Sequence, residues 1–120
     1  MTTNYNRGAA FERRVRDDLC KRGYWAQRSP KSGGVVDVFA YHMGIALFSQ
    51  CKRNGIRSMT REEARALLAL AKRHNALALF VEPAKLHGKR RTGIVYWLNG
   101  KERFEPPRLT QPLNTRQALQ

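Results

Sequence analysis

The sequence predicts an α/β domain in which a mixed central β-sheet is flanked by α-helices. Two stretches carry apolar residues at helical spacing, and several others are rich in β-branched and aromatic residues. The two kinds follow each other in the order helix, strands, helix, strands, tail, which suits a sheet with helices packed on it. At 120 residues, the chain has the length of one domain, and residues 1–120 are read as such, with an irregular tail from about residue 100.

Residues 8–22 read as the first helix, because Phe11, Val15 and Leu19 recur every four positions and form one apolar stripe. Gly23 is a natural stop. Tyr24 to Arg28 reads as a short strand, and Ser29-Pro30-Lys31-Ser32-Gly33-Gly34 as a loop. Val35–Tyr41 and Ile45–Lys52 read as two strands turning back at His42-Met43-Gly44. Thr60-Arg61-Glu62-Glu63 has the spacing of a capping box, and Glu63 is read as its cap residue. Ala64, Leu67, Leu68 and Ala71 then share one face of a second helix that ends near Asn75. Ala76–Val81 and Gly93–Leu98 are further strands around a basic loop from Pro83 to Thr92. Pro106, Pro107 and Pro112 argue against regular structure in the tail, and Trp25 and Trp97 are assigned to the core.

Charge narrows the function. Lys plus Arg number 23 and Asp plus Glu 9, a net charge of +14, with a sequence pI of about 10.9. Such a chain is drawn to polyanions, nucleic acid first among them. No run of about 18 apolar residues is present, so no membrane span is expected. Two cysteines, Cys20 and Cys51, are too few for a structural zinc site and are read as reduced, in an intracellular, cytoplasmic setting.

The chemistry is expected at the 35–52 hairpin. With the turn near Met43, paired residue numbers sum to about 86 or 87, so Asp37 lies opposite Ser49 or Gln50. Side chains alternate faces along a strand, so Gln50 and Lys52 share a face and Cys51 takes the other. Asp37, Gln50 and Lys52 then converge, with two oxygen donors and one ammonium. Mg²⁺ or Mn²⁺ wants such oxygen ligands, and phosphodiester hydrolysis uses the metal and a nearby lysine. The carbonyl of Cys51 can add a ligand. Glu12 lies about 60° round the first helix from the apolar stripe, where it can reach the sheet. Its plainer reading is an ion pair with Arg16.

Asp37, then Gln50-Cys51-Lys52, resembles the PD-(D/E)XK nuclease signature, with Gln50 where Glu or Asp is usual. Arg7-Gly8-Ala9-Ala10-Phe11-Glu12 and Arg28-Ser29-Pro30-Lys31-Ser32-Gly33 resemble segments of archaeal-type Holliday-junction resolvases within that superfamily. The resemblance runs from about residue 7 to 81. It implies a restriction-endonuclease-like fold and a homodimer that makes paired nicks in four-way DNA junctions, leaving 5′-phosphates, in an archaeon or the host cell of a phage. It also implies metal-site roles for Glu12, Asp37 and Gln50, and DNA-binding and cleavage roles for Arg28 and Ser32. Arg7, Lys31, Arg53, Lys89, Arg90 and Arg91 are the further residues expected to meet DNA. Two alternatives stay open: another PD-(D/E)XK nuclease of repair or restriction, and, with neutral Gln50 as the sign of a decayed site, a catalytically inactive DNA-binding module.

Overall fold

The structure, a computed structural model, describes residues 4–30, 34–84 and 93–109. Helix α1 spans Asn4–Lys21, strands β1 and β2 span Trp25–Arg28 and Val38–His42, and β3 spans Ile45–Cys51. A 3₁₀ turn at Ile56–Ser58 leads to helix α2, Arg61–Arg73, and strands β4 (Leu77–Pro83), β5 (Ile94–Leu98) and β6 (Glu102–Phe104) follow. The six strands form one sheet in sequence order. Neighbours run antiparallel except β3 and β4, which are parallel because α2 carries the chain back between them.

Each helix covers one face. Phe11, Val15 and Leu19 of α1 pack with Val38, Ala40, Leu47, Leu79, Val81 and Tyr96, all buried. On the opposite side, Leu67 and Ala71 of α2 pack with Val36, Ala78 and Phe80. The stripe expected on the first helix is therefore the stripe that is buried, but the helix begins at Asn4 rather than at residue 8. No proline stands between Asn4 and Gly8, and the helix runs through the glycine.

Two expectations are corrected. Trp25 is 61% exposed and is not core. It pairs with Tyr41, itself half exposed, on the outer part of the sheet, whereas α2 packs on β3 and β4. The stretch after residue 99 is not uniformly irregular, because Glu102–Phe104 pairs with Tyr96–Leu98 as an edge strand. Beyond it, Arg22 holds the chain against the end of α1. Its Nη1 donates to the Pro106 carbonyl at 2.7 Å and meets Glu105 at 2.6 Å, while its own carbonyl accepts from Leu109.

The hairpin that carries the expected site turns on two residues, Met43 at φ 45° and Gly44 at φ 89°. Two positive φ values in a row are the pattern of a two-residue hairpin turn whose twist matches the strands. The turn fixes the register, in which His42 faces Ile45 and Val38 faces Ser49, so that partner numbers sum to 87.

Candidate active site

The register brings Asp37 to the open end of the hairpin. Its backbone N–H donates to the Ser49 carbonyl at 2.8 Å, and one residue further along the same register is Gln50. The Asp37 carboxylate accepts the Cys51 N–H at 2.7 Å, which locks it onto β3. Cys51 packs against the α1-side core, so Gln50 and Lys52 project to the other face as the alternation requires.

A cleft of about 460 Å³ opens there, lined by Glu12 from α1, by Asp37, Gln50, Cys51 and Lys52, and by Glu62 and Glu63 from α2. Four of the expected site residues, Glu12, Asp37, Gln50 and Lys52, therefore share one cavity, which Cys51 also lines. Ser32 and Lys31 lie outside the described residues, as do Lys89, Arg90 and Arg91. Arg7 and Arg53, with Arg14, line a separate cleft of about 290 Å³ beside Ala10, Phe11 and Pro83.

Three features of the cleft bear on its chemistry. Burial pushes the Asp37 carboxyl up to about 6, an effect that the Cys51 N–H opposes and the nearby Glu12 charge reinforces. Gln50 is 6% exposed, and its side-chain oxygen has no hydrogen-bond partner. The other partnerless buried side-chain oxygens among the described residues, the hydroxyls of Tyr24 and Ser49, do not line this cleft. Finally, each side of the cleft carries an ion pair. Glu12 Oε1 accepts from Arg28 Nε at 3.2 Å and Nη2 at 3.1 Å, and Lys52 Nζ is bound to Glu63 Oε2.

The partners of Glu12 and Arg28 differ from the simpler expectations for each. Arg16 bonds its neighbour Asp17 and leaves Glu12 to Arg28 across the sheet edge. Arg28, expected to meet DNA, is here half-buried against Glu12. Glu63 is the cap residue that the sequence indicates, accepting the Thr60 N–H at 3.0 Å while its own N–H bonds Thr60 Oγ1 at 3.1 Å. Its second oxygen reaches Lys52, which the capping pattern alone does not reveal.

Among the described residues, no three His, Cys, Asp or Glu side chains form a metal cluster. Besides Glu62 and Glu63 of α2, the cleft offers the carboxylates of Glu12 and Asp37 and the unpartnered amide oxygen of Gln50. These are hard oxygen donors in a partly desolvated pocket, a set that fits a divalent cation of the Mg²⁺ type and not a soft thiophilic metal.

A family model described as archaeal Holliday junction resolvase (hjc) matches residues 3–90 of the 120. The solved structure of Archaeoglobus fulgidus Hjc, a Holliday junction resolvase from an archaeal hyperthermophile, superposes with a TM-score of 0.62 at 22% identity, over 78% of this chain and 73% of that one. At that identity the superposition shows a shared fold. No curated protein sequence matches the chain.

Proposed function

Because the chain belongs to the archaeal Holliday junction resolvase family, whose members are junction-resolving endonucleases, we propose that it cuts four-way DNA junctions at the cleft between α1 and α2. Divalent metal use comes with the family. The finer reading is that Asp37, Glu12, Gln50 and the Cys51 carbonyl hold Mg²⁺ or Mn²⁺. The observation that carries it is the buried side-chain oxygen of Gln50, left without a partner in the cleft that Asp37 and Glu12 line. A buried amide oxygen without a partner costs about 1–3 kcal/mol, a cost that a ligand would remove.

When bound, the cation supplies charge neutralisation at the scissile phosphate and a more acidic water. The chain's own groups do the rest. Lys52 orients the attacking water and steadies the charge growing on the phosphate oxygens. Asp37 must be ionised to serve, so it gives up its proton on loading. Arg28 and Ser32 contact the phosphates at the cut. The water oxygen bonds to phosphorus, the bond to the 3′-oxygen breaks, and that oxygen takes up a proton, leaving a 5′-phosphate and a 3′-hydroxyl. Arg7 and Arg53, which line the neighbouring basic cleft, suit the phosphate backbone leading away from the site.

One chain has one such cleft, and resolving a junction needs two opposed cuts, so the working form is read as a homodimer. Trp25, Tyr41, Met43, Ile45 and Leu77 are exposed large apolar side chains near the hairpin tip, at the end of the sheet away from Asp37 and Gln50. Exposed apolar surface of this kind favours association.

The test is cleavage of an end-labelled four-way junction beside its matched linear duplex, in Mg²⁺ and in EDTA. Paired, symmetric, metal-dependent nicks in the junction alone are expected. Tight junction binding without a cut in either Mg²⁺ or Mn²⁺ would replace this reading with that of a DNA-binding module whose Gln50 marks a lost site.

A further inference from the structure

The cleft contains an acidic residue that the metal set does not use. Glu63 stands at the third position of α2, and both of its carboxylate oxygens are engaged. Oε1 accepts the Thr60 backbone N–H at 3.0 Å, and Oε2 accepts from Lys52 Nζ. Thr60 Oγ1 closes the box by accepting the Glu63 N–H at 3.1 Å. A carboxylate held at both oxygens cannot swing. Lysine has four rotatable side-chain bonds and an ammonium without directional preference, so it is poorly fixed by itself. Lys52 also lies just past the end of β3, where the sheet no longer constrains it. Its backbone N–H is tied to the Val81 carbonyl at 2.7 Å, which fixes the root of the side chain but not the tip.

From this we infer that Glu63 is a positioning residue of the nuclease site, whose carboxylate, set by the capping box of α2, holds the Lys52 ammonium at its working place in the cleft. The inference rests on the nuclease reading above and adds a residue to it. Glu63 does not touch the substrate; it acts through Lys52. The arrangement also links the second helix to the chemistry. Leu67 and Ala71 seat α2 on the sheet, the helix start places Thr60 and Glu63, and Glu63 places the lysine.

Two explanations of Glu63 make different predictions for one substitution. A capping box accepts Gln as readily as Glu at this position, because the amide oxygen also bonds the N-cap N–H. If Glu63 only caps the helix, Glu63→Gln is silent. If it positions Lys52, Glu63→Gln removes the charge that holds the ammonium and leaves the fold alone.

The experiment is single-turnover cleavage of a four-way junction in Mg²⁺ by wild type, Glu63→Gln and Glu63→Asp, with junction affinity measured in Ca²⁺ and thermal midpoint measured on the same samples. Glu63→Gln is expected to slow the cleavage step about 10- to 100-fold, the cost of a misplaced catalytic group. Its junction affinity should stay within a factor of two of wild type and its midpoint within about 2 °C, a shift of well under 1 kcal/mol. Glu63→Asp keeps the charge on a shorter arm and should recover part of the rate. Wild-type rates in Glu63→Gln would overturn the inference and leave the nuclease reading standing. A rate loss matched by a lower midpoint would assign Glu63 to the fold alone and overturn it too. A wild type that binds the junction and does not cut it would overturn the nuclease reading, and this inference with it.

Discussion

Helix α1 contributes to two charged clusters at opposite ends of its buried face, and they are built on opposite plans. Near its C-terminus, Asp18 Oδ2 accepts from Arg22 Nε at 2.9 Å and from the Tyr96 hydroxyl at 2.7 Å. Arg22 also bonds the Pro106 carbonyl and Glu105, and its guanidinium lies 5.6 Å from the centre of the Tyr96 ring. The charges there are paired and the hydrogen bonds are made. Near the middle of the helix, where the buried stripe begins, Glu12 faces a cleft in which Gln50 has an oxygen without a partner and burial pushes Asp37 up to about 6. The first cluster joins helix, sheet and tail. The second is incomplete, and the incompleteness sits at the residues that the nuclease chemistry requires. A satisfied polar network is a device of stability, and an unsatisfied one marks a place awaiting a ligand.

The largest expected effect breaks the incomplete cluster. Asp37→Asn removes the one carboxylate that β3 holds in place, and Lys52→Ala removes the ammonium opposite it. Each should lower junction cleavage by about a thousandfold or more, since neither charge stabilisation nor proton transfer survives. Gel-shift affinity for the junction should remain within a few-fold, because the basic surface is intact. Normal cutting by either variant would strike that residue from the mechanism. The complementary change breaks the complete cluster. Arg22→Met leaves Asp18 and Glu105 without their cation and frees the 105–109 segment, so unfolding free energy should drop by about 2–4 kcal/mol, somewhat less than for a fully buried pair. Denaturant titration measures it. The cleavage rate of the folded fraction should be unchanged, so a matching loss of activity would show that the two clusters are coupled.

The contrast was only partly legible in the sequence. The hairpin register was readable to within one residue because the turn is short and one face is buried, which leaves little freedom for slippage, and it set Asp37 opposite Ser49 or Gln50. The stripe on α1 and the capping box of α2 are local patterns and were equally plain. The pairs were not. Arg28 meets Glu12 across 16 positions and Lys52 meets Glu63 across 11, and only the packing of helices on the sheet selects those partners over nearer ones such as Arg16. Trp25 shows the same limit. Period-two alternation assigns it to a face, but whether a helix covers that part of the face depends on where α2 lands. Strand β6 carries two charged residues in three, so its pairing with β5 is the only thing that makes it a strand.

A third measurement sharpens the comparison through pH. The Asp37 carboxyl has a folded-state value of about 6, above its ordinary 3.8. Between those values the unfolded chain has lost a proton that the folded chain retains, so this group's contribution to stability is full below about pH 4 and is lost as pH rises through about 6. Relative to Asp37→Asn, the metal-free wild type should therefore lose about 1–3 kcal/mol between pH 4 and pH 7. Adding Mn²⁺ at pH 7 should restore part of it to the wild type and none to the variant. Parallel pH profiles of the two proteins would remove the strained carboxylate from the account.

The smallest effect belongs to the satisfied cluster, and its smallness is what distinguishes the two. Burial and the Asp18 carboxylate push the Tyr96 hydroxyl well above its ordinary range, so it stays protonated and donating at any working pH. Tyr96→Phe deletes that donor but leaves Asp18 its bond to Arg22, so no buried charge is stranded. The loss should be about 1 kcal/mol, as for one hydrogen bond whose acceptor keeps another partner, and it should not vary between pH 5 and pH 8. Equilibrium unfolding at those two pH values measures both. A loss of 3 kcal/mol or more, or one that changes with pH, would mean that Tyr96 gives the cluster more than one hydrogen bond. The C-terminal cluster would then depend on its hydroxyl as the cleft depends on its ligand, and would not be a plain strap.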